Sequence, residues 1–250
     1  MAVVVILLAV AFYFAPLPDL VSDAPTAGSP APKGGSKPSL WSEPHFVWAV
    51  VAQFFYVAAQ AGIFSFFINY MVSQTPGLPP HGDSWLLTNL TAPGPDQLRH
   101  LTDAGAASLA SLGFFCFLAG RFSGAAIMRR VAAHRLLCLY GGINVAICLL
   151  VVLRLGWFSV AGVFVGYFFM SIMFPTIFAL GIHGLGERAK QASAFLVMAI
   201  IGGAILPKVM GAVGDRYGLS SSFLVPLACF LVISAYGWAW PRLSQSRSPG

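Results

Sequence analysis

The residues with the greatest capacity for ligand chemistry in this chain are uncharged. Gln53, Tyr56 and Gln60 follow one another at intervals of three and four, and Asn69 comes nine residues later. On an α-helix the first three fall along one stripe, whereas Asn69 stands about 180° of arc from Gln60. Phe64 and Phe67 continue the stripe. An amide both donates and accepts hydrogen bonds, a phenol does so through one oxygen, and aromatic faces pack against the apolar side of a sugar ring. Such a row suits a neutral polyhydroxylated ligand. The same amides also suit hydrogen bonds between neighbouring helices that hold a bundle together. Both readings stay open on residue type and spacing alone.

Charged chemistry is thin. Glu187 follows the fifth apolar run and Asp215 stands at the far end of the sixth, and no Asp or Glu lies within a run. Proton-coupled carriers need an ionisable group near the membrane midplane, and these runs offer no carboxylate for that role. No nucleophile, base and orienting group come together at the end of a run, so an enzyme is not expected. Cys116, Cys138, Cys148 and Cys229 sit inside apolar runs without metal-ligand spacing. They read as packing residues, and no metal or cofactor is expected.

The elements that must position these side chains are apolar helices. Of the 250 residues, 58% are hydrophobic and only 9% charged, with a mean hydropathy of +0.80. A soluble domain carries roughly 25% charged residues, so lipid rather than water must cover most of this surface. The net charge of +6 does not point to nucleic acid, because the cations stand at the ends of apolar runs, where they set topology. Seven runs approach the ~20 residues needed to span a bilayer as helix: 1–17, 46–72, 104–128, 136–153, 157–182, 192–213 and 221–240. They are continuously apolar, without the period-two alternation of barrel strands. Gly162, Gly166, Gly202, Gly203 and Gly211 mark close helix contacts, and Pro175 and Pro207 should kink their spans.

Residues 18–45, rich in Pro and Gly, read as a flexible linker, and 73–103 as a long loop. The loop contains Asn89-Leu90-Thr91, an acceptor-type triplet for N-glycosylation that is common by chance. Threading the spans alternately places Lys33, Lys37, Arg121, Arg129, Arg130, Arg135, Arg188, Lys190, Arg242 and Arg247 on one side. Only Arg99, Arg154, Lys208 and Arg216 fall on the other. The positive-inside bias then makes the linker and the tail at 241–250 cytoplasmic and turns the 73–103 loop outward. An outer N-terminus that begins within an apolar run, with no basic region before it, reads as a fragment or a late start rather than a signal peptide.

Four segments resemble a known family. QFFYVAAQAGIFSFFINY at 53–70, GRFSGAAIMRR at 120–130, FPTIFALGIHGLG at 174–186 and SAFLVMAIIGGAILPKVMGAVGDRYG at 193–218 are similar, in order, to the second half of the fucose, galactose and glucose proton symporters. These are members of the major facilitator superfamily. The resemblance runs from about Phe46 onward, and the run at 1–17 resembles the end of the family's sixth helix. It implies an all-α polytopic membrane protein: the six-helix C-terminal bundle at 46–240 plus one preceding transmembrane helix, with the N-terminal half missing. A monosaccharide is the implied substrate and the plasma membrane, as the inner membrane of a bacterium, the implied location. Carried over by position, Gln53, Tyr56, Gln60 and Asn69 match the seventh helix and Phe174 the tenth.

In fucose permeases the position of Phe174 is a tyrosine that lines the pathway, so the missing hydroxyl puts fucose itself in question. His183 stands where the family shows a lysine, and Arg121 with Arg129-Arg130 matches the cytoplasmic loop between helices eight and nine. The family's proton-coupling acids lie in the half not present here. The competing expectation is a non-transporting seven-helix receptor or scaffold, which shares the same topology.

Overall fold

The computed structural model describes residues 39–79 and 85–245. The expected span at 1–17 and most of the linker at 18–45 lie outside them. Among the described residues, six helical segments are long and apolar enough to cross a membrane.

Helix α1 is Pro44–Gln74, with proline in its first turn, where the missing N–H costs no helical bond. A short helix α2, Trp85–Leu90, leads into strand β1, Thr91–Pro93, which pairs antiparallel with β2, Arg99–Leu101. The spans that follow are α3, Asp103–Ile127, and α4, Ala133–Val152. The next is split into α5, Trp157–Met170, and α6, Met173–Ile182. Another is split into α7, Ala189–Met198, and α8, Gly202–Tyr217, around a 3-10 turn at Ala199–Ile201. Helix α9, Leu224–Gln245, closes the fold.

The described parts of the 73–103 loop, 73–79 and 85–103, thus carry more regular structure than their Pro and Gly content implies. Leu78 joins the small sheet by exchanging backbone hydrogen bonds of 2.9 Å with Arg99. The Arg99 guanidinium donates to Thr91 Oγ1 at 2.8 Å and to the Thr91 carbonyl at 2.9 Å. Thr91 is buried, so the hydroxyl of the Asn89-Leu90-Thr91 triplet is committed to this internal bond. Thr102 then caps α3, its hydroxyl accepting from the Gly105 N–H at 3.0 Å.

Helix α1 is the hub, packed against α3, α6, α8 and α9. Its close approaches depend on glycine on the facing helix. A Cβ at Gly202 would run into the carbonyl of Phe54, and one at Gly203 would press on Val57 at 3.1 Å. Aromatic rings fill the interior: Phe67 meets Tyr167 at 5.5 Å and Phe164 at 5.7 Å, and Tyr70 meets Phe223 at 5.0 Å. The α3 span and the span at 186–217 bury the smallest share of their residues. Their outer faces carry Phe115, Phe122, Met198 and Ile201, all exposed.

One end of the bundle is latched by polar contacts. Glu43 Oε1 accepts from Arg188 at 3.1 Å. The His45 ring donates from Nε2 to the His183 carbonyl at 3.0 Å. The indole of Trp240 donates to the Leu180 carbonyl at 3.2 Å and stacks on His134 at 5.3 Å. At the opposite end Ser220 donates to Gln74 Oε1 at 3.0 Å.

Candidate functional site

The α5–α6 break builds the site. Pro175 has no N–H to give the Ser171 carbonyl, so the helix is interrupted at Ser171–Ile172. Hydroxyls compensate there: Ser171 Oγ donates to Phe168 O at 2.8 Å and Thr176 Oγ1 to Ile172 O at 2.7 Å. Pro207 acts differently. Helix α8 runs unbroken through it, and the departure from α geometry lies earlier, at Ala199–Ile201.

Tyr56 binds α1 to this break. It is fully buried, and its hydroxyl donates to the carbonyl of Met170, the last residue of α5, at 2.9 Å. A helix end leaves such carbonyls without intrahelical partners, and the phenol supplies one. Phe174, half-buried just past the break, sets its ring 6.2 Å from that of Tyr56 and stacks on Phe178 at 6.5 Å. One turn beyond Gln60, Phe64 packs on Tyr167 at 4.7 Å, Phe114 at 5.2 Å and Phe117 at 6.0 Å.

Gln60 is half-buried and lies on the α1 stripe one turn from Tyr56 and one turn from Phe64. Along α1 its position therefore falls between the turn that carries Tyr56, which meets Phe174, and the turn that carries Phe64, which meets Tyr167. Gln53, one turn further along, is completely buried, and neither Oε1 nor Nε2 has a hydrogen-bond partner among the described residues. A buried amide without a partner costs about 1–3 kcal/mol. Asn69 is separate from these, exposed on another face of α1 with Ser65 and Ser73 four residues to either side. The structure thus brings Tyr56, Gln60 and Phe174 to one region, buries Gln53 within the bundle and sets Asn69 apart. Ser65 and Ser73 went unread in the sequence, although a polar repeat every four residues was available to find them.

Two cations also differ from expectation. Arg121 does not lie in a loop: it is on α3, six residues before its end, or about 9 Å in along the axis. It is exposed. Lys208, counted with the outer connections, is exposed on α8 nine residues before Tyr217. The alternating count assigns a cation to the nearest loop, and long side chains that reach toward the interface let helices carry such residues inside their ends.

No family model matches the chain. It is 35% identical to the L-fucose-proton symporter of Escherichia coli (strain K12) over 231 residues, 92% of this chain and 48% of that protein. It is 30% identical to the glucose/galactose transporter of Brucella abortus (strain 2308) over 230 residues, 92% of this chain and 49% of that one. Among solved structures it is similar to a major facilitator superfamily transporter, FucP, in the outward conformation. That similarity has a TM-score of 0.74 and 34% identity, covering 95% of this chain and 52% of the other. The chain spans about half the length of the relatives it matches. It belongs to the major facilitator superfamily, in the fucose, glucose and galactose transporter family, and its coverage is consistent with the C-terminal half of such a protein.

Proposed function

We propose that this bundle is one half of a monosaccharide carrier of the fucose, galactose or glucose type, proton-coupled when whole, in the inner membrane of a bacterium. The observation that carries this reading is the half-buried Gln60, on α1 between the turns of Tyr56 and Phe64, in a chain related along 92% of its length to a fucose symporter. Gln60 and the Phe174 ring form the sugar-facing wall, with the buried Tyr56 ring behind Phe174. Gln53, buried within the bundle, and Asn69, on another face of α1, stand outside this wall. Carriers of this superfamily bind substrate near the midplane and rock two bundles around it, so a single bundle supplies one side of the site.

The poorly buried faces of α3 and α8, which carry Arg121 and Lys208, support contact with a second bundle. Cations at membrane depth are costly unless paired, and a second bundle can bring carboxylates to them. Within the described α-helices the carboxylates are Asp103, at the first position of α3, and Asp215, close to the end of α8, and Glu187 lies in the 3-10 turn before α7. Proton coupling in this reading belongs to acids on the second bundle.

The test compares the chain reconstituted alone with the chain joined to the N-terminal half of the E. coli L-fucose-proton symporter. Alone it is expected to show no sugar accumulation driven by a pH gradient. Joined, it is expected to exchange at least one of fucose, galactose and glucose across vesicles. A folded chimera that moves none of the three would overturn the proposal, as would gradient-driven accumulation by the chain alone.

A further inference from the structure

Away from the proposed sugar wall, a groove of about 430 Å³ opens on the outer surface between the first turns of α4 and the last turns of α9. Its floor is set by Gly237, where a Cβ would approach the Cys138 nitrogen to 2.8 Å and the His134 carbonyl to 2.9 Å. The two backbones are therefore nearly in contact there, and the larger side chains stand up as walls. Leu139 and Trp238 form these walls and are 58% and 65% exposed. In a membrane-spanning bundle such side chains face acyl chains rather than water.

The rim of the same groove is cationic. Arg135 lines it, and the Arg242 guanidinium carbon lies 4.8 Å from the centre of the Trp238 ring. No carboxylate lines the groove, and neither arginine forms an ion pair with a carboxylate among the described residues. Arg129 and Arg130, both exposed, stand in the turn before α4 at the same end. A Trp–Arg cluster at helix ends marks the depth of lipid headgroups. The site thus combines an apolar slot open to the bilayer with two unpaired cations at headgroup level.

We propose that this groove holds one anionic phospholipid, its acyl chain along Leu139 and Trp238 and its phosphate between Arg135 and Arg242. Charge complementarity selects the occupant. A zwitterionic lipid fills the slot but brings no net charge, and a free phosphate meets the arginines but leaves the slot empty. Basic pockets between helices capture anionic headgroups by this combination.

The experiment uses the full chain in a neutral maltoside detergent, titrated separately with phosphatidylglycerol, phosphatidylcholine of the same acyl chains, and inorganic phosphate. Retention is read by native mass spectrometry and the unfolding midpoint by a thermal scan. Phosphatidylglycerol is expected to bind roughly 10-fold to 30-fold tighter than phosphatidylcholine, the contribution of two cations near a membrane surface. Inorganic phosphate is expected to leave the midpoint unmoved. Arg135→Gln with Arg242→Gln should erase the preference, and the corresponding double lysine variant should keep most of it. Leu139→Trp fills the slot from a lipid-facing position and should reduce retention of both lipids with the arginines intact. Equal binding of the two lipids by the unaltered chain would overturn the proposal. So would a preference that survives the double glutamine variant, retention untouched by Leu139→Trp, or a full effect from inorganic phosphate.

Discussion

At the scale of single residues, the amides of Gln53 and Gln60 on α1 occupy different environments, and each makes a separate expectation. Gln53 is completely buried without a partner among the described residues. Gln53→Leu replaces an unsatisfied amide with an apolar group of similar size and is expected to stabilise the bundle by about 1–3 kcal/mol, seen as a higher unfolding midpoint in detergent. An unchanged or lower midpoint would mean that the amide is satisfied within the folded bundle. Gln60 is only half-buried, so Gln60→Ala should act on the ligand instead. In a complete transporter, loss of its paired donor and acceptor is expected to weaken sugar binding by roughly 5-fold to 150-fold with little change in midpoint. Both quantities need to be read on one preparation, because a helix-bridging amide would lose stability and leave affinity per folded molecule intact. Phe174→Tyr is the companion: its ring faces Tyr56 at 6.2 Å, and the added hydroxyl should shift preference toward fucose. Unaltered affinity in Gln60→Ala together with unaltered preference in Phe174→Tyr would remove these residues from the sugar wall.

At the scale of elements, glycines that look alike in sequence differ in what they permit. Gly202 faces the Phe54 carbonyl across the α1–α8 contact, whereas the nearest atom to a Cβ at Gly211 is the tip of the Phe66 ring at 3.5 Å, an ordinary contact. Gly202→Ala is therefore expected to force α8 away from α1 and cost about 1–3 kcal/mol. Gly211→Ala should be neutral or gain up to ~1 kcal/mol, since Gly weakens a helix interior. Chemical denaturation of both variants checks the contrast, and equal losses would contradict the packing described. Spans such as 136–153 were legible because a bilayer sets their length and apolar runs reveal it; the structure gives Ala133–Val152. The break at Ser171–Ile172 was legible as a kink through Pro175. The 3-10 turn at Ala199–Ile201 was not, since no proline or polar residue marks it and helix packing decides it. The small sheet was hidden for a related reason: its order rests on Arg99 bonding to Thr91 and on the Leu78 pairing, contacts that composition does not disclose. Within the site, the Gln53–Tyr56–Gln60 stripe could be read from spacing. The burial that separates Gln53 from Gln60 depends on which helices surround α1, and spacing carries no record of that.

For the whole molecule, the remaining variable is orientation in the membrane, and the structure sharpens the charge argument that sets it. Arg121 and Lys208 lie six and nine residues inside the ends of their helices, so neither belongs in a count of span-end cations. Removing one from each side leaves the bias intact. Among the described residues Arg129, Arg130, Arg135, Arg188, Lys190 and Arg242 gather at the end latched by Glu43 and Trp240. Only Arg99, Arg154 and Arg216 stand at the end that carries the small sheet. Lys and Arg near span ends are held on the cytoplasmic side, so the latched end is expected to face the cytoplasm and the sheet to face outward. The four cysteines, of which Cys116 and Cys138 are partly exposed, would first be replaced by alanine. In that background Gln97→Cys, in the exposed turn of the hairpin, should react with a membrane-impermeant maleimide on intact cells. Arg130→Cys and Lys190→Cys, both exposed at the latched end, should react only after the membrane is permeabilised. The reverse pattern would invert the bundle, and with it the proposed lipid groove would move to the outer leaflet. Labelling of all three in intact cells would mean mixed insertion, in which case the cation bias is too weak to orient this bundle without a second one beside it.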